Sequence, residues 1–170
     1  MNYTNLISKK KQYKYSVNIC FDLHDEERLA GFIPNVTTTE IIREYLGGII
    51  RGNADIHSRI LYGSYGTGKS HLLTVISAVL GHINTNGAGF RDFTEQLAKY
   101  DEELSTDIKN YVKSEKPYLV VPVYSDYPDF GKCITFSIKK ELDRNNISVC
   151  FKGFYDEAAE LLEKWVTGEE

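Results

Sequence analysis

Gly63-Ser64-Tyr65-Gly66-Thr67-Gly68-Lys69-Ser70 is the stretch whose reading decides the fold. It has the form G-x-x-x-x-G-K-[ST], the pattern of a phosphate-cradling P-loop. Immediately before it, Arg59-Ile60-Leu61-Tyr62 is short and apolar and reads as a buried strand. Immediately after it, His71 to Leu80 reads as a helix. There Leu72, Leu73, Ile76, Val79 and Leu80 keep the spacing of one helical face. Gly81 stands where a helix-terminating glycine is expected. Strand, glycine-rich turn and helix together predict an α/β fold: a P-loop NTPase core, with a parallel sheet flanked by helices.

The residue types match the chemistry of a polyphosphate ligand. Glycines let backbone N–H groups turn inward and come close to phosphate oxygens. A helix that begins near Lys69 aims its N-terminal partial charge at the same anion. Lys69 supplies an ammonium for the outer phosphates, and Ser70 supplies a hydroxyl ligand for Mg²⁺. Gly63, Ser64, Tyr65, Gly66, Thr67, Gly68, Lys69, Ser70 and His71 are therefore the expected cofactor-binding run, with ATP and Mg²⁺ as the cofactors.

Composition narrows the remaining classes. The chain has 170 residues with 42% hydrophobic and 26% charged content, which suits a soluble globular domain with a sizeable core. Its net charge of −4 argues against a surface devoted to nucleic acid, so DNA is expected to be met indirectly at most. Cys20, Cys133 and Cys150 are scattered without metal-type spacing and read as reduced core residues of a cytoplasmic protein. No apolar run approaches the length of a membrane span.

In chain order, residues 1–14 form a basic leader and 15–170 the expected P-loop NTPase domain. Val17, Ile19, Phe21 and Leu23 alternate as in a strand. Asp22, His24, Asp25, Glu26 and Glu27 form an acidic turn better read as solvated than as a metal cluster. Thr37 and Glu40 have the spacing of a capping box, opening a helix that carries Ile41, Ile42, Tyr45, Leu46 and Ile49. Phe32-Ile33-Pro34, just upstream, reads as core packing, with contact to an adenine ring as the alternative.

Beyond Gly81 comes a loop over 82–89, then two helical patterns, about 90–100 and 104–113. Tyr118 to Tyr124 reads as a second strand, which Pro122 demotes toward a sheet edge. Asp129 is placed to cap a helix over about 130–145, with a short strand at 147–151 and a last helix from Tyr155 to about Val166.

A hydrolytic P-loop enzyme also needs an acid at the end of an apolar strand to hold Mg²⁺ and prepare water. Asp126, after Val120 to Ser125, is the candidate, and it joins Lys69 as a possible catalytic residue, although Pro122 and Ser125 fit the pattern poorly. Asp156-Glu157 fits less well still. Arg43, Arg51, Arg59, Arg91 and Arg144 are all open as a charge-stabilising arginine. The expectation is therefore the N-terminal part of a longer ATPase whose acidic strand lies further on.

The run Ile60 to Leu73, with His71 following Ser70, resembles the AAA+-like P-loop ATPases of bacterial BREX-type phage-defence systems. Phe32-Ile33-Pro34 ahead of the loop and the helix from Ala158 to Trp165 are also similar. The resemblance implies an ATPase module in a multi-protein, DNA-associated defence machine, partnered by other subunits or by copies of itself. Carried over residue by residue, it implies nucleotide binding by Gly63, Gly66, Gly68, Lys69 and Ser70. The alternatives are a nucleotide-sensing regulatory or structural subunit without hydrolysis, and a P-loop kinase, for which no arginine-rich lid is evident.

Overall fold

A computed structural model describes residues 17–25, 27–52, 58–124, 128–149, 162–164 and 166. The chain divides into two compact units, Met1–Pro122 and Val123–Glu170. The first contains α1 (Ile19–Asp22), α2 (Glu27–Gly31), α3 (Val36–Ile50), α4 (Lys69–Leu80), α5 (Ala88–Ala98) and α6 (Glu102–Ser114). The second contains α7 (Phe130–Arg144).

Among the described residues there is no strand, and this overturns the expected parallel-sheet P-loop NTPase core. Where they are described, the segments read as strands lack the pairing that makes one. Residues 19–22 are helical: Asp22 Oδ2 accepts the Asn18 N–H at 2.7 Å, and the Asn18 carbonyl accepts from Asp22 N at 2.8 Å. Residues 58–64 and 115–124 are irregular, as are 147–149. Ile60 and Tyr62 are each 90% exposed, the reverse of a strand covered on both faces. Alternation and apolar runs describe which side chains seek burial; a strand also needs a neighbour for its N–H and C=O groups.

The helices follow from local chemistry. α3 starts earlier than the Thr37–Glu40 spacing implies. Asn35 Oδ1 accepts Thr38 N–H at 2.9 Å while Thr38 Oγ1 accepts Asn35 N–H at 2.8 Å, a reciprocal cap. Asp101 caps α6 through Leu104 N at 2.9 Å, and Asp129 caps α7 through Lys132 N at 3.3 Å. α7 ends at Asn145, whose Nδ2 donates to the Glu141 carbonyl at 2.7 Å, with Asn146 following at φ 55°. Residues 162–164 and 166 are helical; the rest of the expected last helix lies outside the described residues, as does the basic leader.

α4 is the spine of the first unit, packing against α1, α2, α3 and α6. That explains why Leu72, Val75, Ile76, Ala78 and Val79 are buried on more than one face, not on a single stripe. Thr74, also buried, returns its hydroxyl to the Ser70 carbonyl at 2.9 Å, so no polar atom is stranded there. Phe93 and Leu97 of α5, Leu104 and Ile108 of α6, and Ile42 and Leu46 of α3 complete the core. An ionic seam joins α3 to α6. Arg43 meets Asp101 and Glu103, and Arg51 meets Glu103 at 2.9 Å and Asp107 at 2.7 Å. These pairings raise both guanidinium pKa values above their usual range, the hydrogen bond to Asp101 being the main cause at Arg43 and the bond to Asp107 at Arg51.

Candidate functional site

The glycine-rich loop ends in α4 as the sequence requires. Gly68 is the residue before the helix, with φ 81° and ψ 11°, and Gly66 has the same φ. A left-handed backbone at this point favours glycine and turns the chain sharply into the helix. Because Gly68 has no side chain to cap the helix, the first N–H groups of α4 face the loop. The first intrahelical bond runs from Leu72 N to the Gly68 carbonyl at 2.9 Å.

Lys69 folds back over this turn. Its Nζ donates to the Gly63 carbonyl at 2.9 Å, to the Ser64 carbonyl at 2.5 Å and to Thr67 Oγ1 at 3.4 Å. Thr67 Oγ1 in turn donates to the Ser64 carbonyl at 2.9 Å. A cation and a helix N-terminus thus share one exposed turn, which is the electrostatic arrangement that receives an anion. Ser64, Tyr65, Gly66, Thr67, Gly68 and Ser70 are all exposed, and Tyr65 is fully so. The Ser70 hydroxyl, at the open helix end, is the kind of single protein oxygen that Mg²⁺ uses alongside water and phosphate.

His71 sits differently. Its ring stands edge-on to Phe32, with centroids 5.2 Å apart, and Phe32 continues to Phe93 at 6.0 Å. Phe32 is buried at 5% exposure, so it is core, whereas Ile33 is 60% exposed beside it. His71 therefore anchors the loop end of α4 to α5 through an aromatic chain.

The opposite end of α4 is closed by a second set of contacts that the sequence did not announce. The Leu80 carbonyl accepts both Tyr111 OH at 3.0 Å and Tyr118 N–H at 2.9 Å. Gly81 is favoured by the tight packing of Val120 and Ile83 side chains around it, not by a left-handed turn. Its φ is −86°, and a Cβ there would lie 3.1 Å from Val120 Cγ2 and 3.2 Å from Ile83. The left-handed residue is His82, at φ 51°, whose ring stands edge-on to Tyr111 at 4.9 Å. Burial lowers the His82 pKa, and burial, with Tyr118 and Glu115 nearby, pushes Tyr111 up to about 12.

Asp126 and Asp156-Glu157, the acids considered for the Mg²⁺ role, lie outside the described residues. Among the described residues no three His, Cys, Asp or Glu side chains gather as a metal site. Of the arginines held open, Arg43 and Arg51 belong to the α3–α6 seam. Arg59 binds Glu44 and lies 4.9 Å from the centre of the Tyr45 ring, and Arg144 pairs with Glu141 at 2.7 Å. Arg91 is exposed on α5. No described helix is long and apolar enough to cross a membrane. The sequence signal that could have revealed the Thr67 contacts is its place directly before Gly68 and Lys69, where the turn brings a hydroxyl back over Ser64. No family model, curated protein or solved structure matches the chain, so the site rests on its own geometry.

Proposed function

We propose that residues 63–71 bind the polyphosphate of ATP together with Mg²⁺. The observation that supports this reading is the placement of Lys69. Its ammonium lies over the Gly63 and Ser64 carbonyls at the N-terminal end of α4, where Gly68 leaves the helix uncapped. In this reading the loop N–H groups and the start of α4 receive the outer phosphates, Lys69 neutralises them, and the Ser70 hydroxyl is the protein ligand to Mg²⁺. Cytoplasmic ATP is the ligand proposed. The resemblance of the loop extends the proposal to a nucleotide-binding module that works with other subunits, or with copies of itself, in a DNA-associated defence machine. The helical surroundings of the loop differ from the sheet core such ATPases imply, so the proposal is confined to binding.

The test is calorimetry of the full chain with Mg·ATP, wild type against Lys69→Ala, with phosphate release measured in the same samples. Micromolar binding that weakens at least tenfold in the variant is expected. Absence of binding by folded wild-type protein overturns the proposal. Phosphate release that disappears with Lys69→Ala would extend it from binding to turnover.

A further inference from the structure

We propose that the loop is latched shut by its own lysine, with the Thr67 hydroxyl as the catch. The inference deepens the nucleotide-binding reading and rests on it for the ligand, but the latch can also be measured without one.

A lysine ammonium has three protons to donate and no acceptor. At Lys69 three acceptors are already in place: the Gly63 carbonyl at 2.9 Å, the Ser64 carbonyl at 2.5 Å and Thr67 Oγ1 at 3.4 Å. The ammonium is therefore engaged before any anion arrives. The Ser64 carbonyl carries two lone pairs, and both are used, one by Lys69 and one by the Thr67 hydroxyl at 2.9 Å. Thr67 thus acts twice. It holds Ser64 in the position that captures the lysine, and its own oxygen is the third acceptor.

An incoming phosphate must exchange with these contacts. The contact to Thr67 Oγ1, at 3.4 Å, is the longest of the three and the first to give way, so a ligand oxygen gains a Lys69 proton by displacing the Thr67 hydroxyl while the two carbonyl bonds can remain. A triphosphate offers several oxygens for that exchange together with N–H partners along the loop and helix end. Orthophosphate offers few, and the cost of opening the latch, being the same for every anion, lowers the affinity for all of them by the same factor.

The sign of one substitution separates this from the simpler idea that Thr67 helps to hold phosphate. Thr67→Val keeps the branched shape and the backbone N–H and removes only the hydroxyl. If the hydroxyl is a catch, the free state loses a stabilising bond and binding tightens. The expected gain for Mg·ATP and for tripolyphosphate is about fivefold, which is the equivalent of about 1 kcal/mol for one net hydrogen bond. Thr67→Ser keeps the hydroxyl and is expected to bind as wild type.

The ligand-free arm is acylation of Lys69 by an uncharged amine reagent, followed residue by residue by mass spectrometry. Lys69 is expected to react severalfold faster in Thr67→Val than in wild type, with Thr67→Ser behaving as wild type. Unchanged or weaker ATP binding by Thr67→Val overturns the latch, as does an equal Lys69 acylation rate in all three proteins. If no variant binds ATP or tripolyphosphate, the nucleotide reading falls, and the acylation rates alone decide whether the latch exists.

Discussion

Gly47 and Gly68 are two glycines whose replacement by alanine should act in opposite directions. Gly47 lies inside α3, is buried, and a Cβ built there meets only Arg43 Cγ at 3.9 Å, an ordinary contact. Alanine at a helix interior is worth about 1 kcal/mol over glycine, so Gly47→Ala is expected to stabilise by about that amount. Gly68 also has open space around the missing Cβ, with nothing within 4 Å, but its φ is +81°. A left-handed residue with a side chain costs about 1–2 kcal/mol. The restricted unfolded chain returns about 0.4–1 kcal/mol, leaving Gly68→Ala destabilised by about 1 kcal/mol. The two variants should therefore differ by about 2 kcal/mol. At about 2–4 °C per kcal/mol in a chain of this size, that separates their melting midpoints by about 4–8 °C. Urea unfolding followed by circular dichroism, with thermal melts alongside, gives both figures. ATP titration of the same samples should show weaker binding by Gly68→Ala and unchanged binding by Gly47→Ala. Equal shifts of the same sign would refute the reasoning, because the backbone angle at Gly68 would then carry no cost.

Asp101 both caps α6 and pairs with Arg43, and the two roles can be separated. Asp101→Asn keeps a capping oxygen and should cost a few tenths of a kcal/mol, whereas Asp101→Ala should cost about 1–2 kcal/mol by urea unfolding. His82, whose pKa is lowered in the fold, is harder to protonate there than in the unfolded chain. Its contribution is whole above the ordinary value near 6.5 and is lost as pH falls through the folded value. His82→Asn tolerates the left-handed backbone and should flatten the loss of stability measured between pH 7.5 and pH 5. Lys69 makes its contacts within its own exposed turn, so Lys69→Ala should cost about 1 kcal/mol by urea unfolding, the net worth of the loop bonds it removes, while weakening ATP binding at least tenfold.

Helices were legible in the sequence because their signals are local. Asp129 stands before α7, Leu104, Ile108 and Tyr111 share the buried side of α6, and Lys69 to Leu80 was bounded by glycines at both ends. The start of α3 was misplaced for a specific reason: two overlapping pairs competed, and Asn35 with Thr38 closed the reciprocal cap in place of Thr37 with Glu40. Strands were not legible, since pairing depends on a partner distant in the chain. Tyr118 gives its N–H to the end of α4, and Pro117 and Pro122 have no N–H to give, so the 118–124 run is poorly equipped to form a ladder. The candidate site was legible as a motif. Its resting arrangement was not, because three acceptors for one ammonium come from turn geometry that no spacing rule encodes.

That arrangement explains how an exposed loop can coexist with a well-packed helix. α4 is held along its length by four other helices, at one end by the aromatic chain through His71 and Phe32, and at the other by the doubly used Leu80 carbonyl. Its N-terminus is thereby fixed in position before any ligand arrives, and preorganised donors spend no binding energy on being ordered. The loop ahead of it has no such packing, since Tyr62 to Gly68 are exposed and the strand expected beneath them is not formed. What orders the loop is the ammonium of Lys69, drawn onto Gly63 and Ser64. The same charge that would neutralise a polyphosphate therefore substitutes for the missing sheet in holding the turn. A fixed helix end and a self-restrained loop are separable parts, and binding must exchange contacts only in the second.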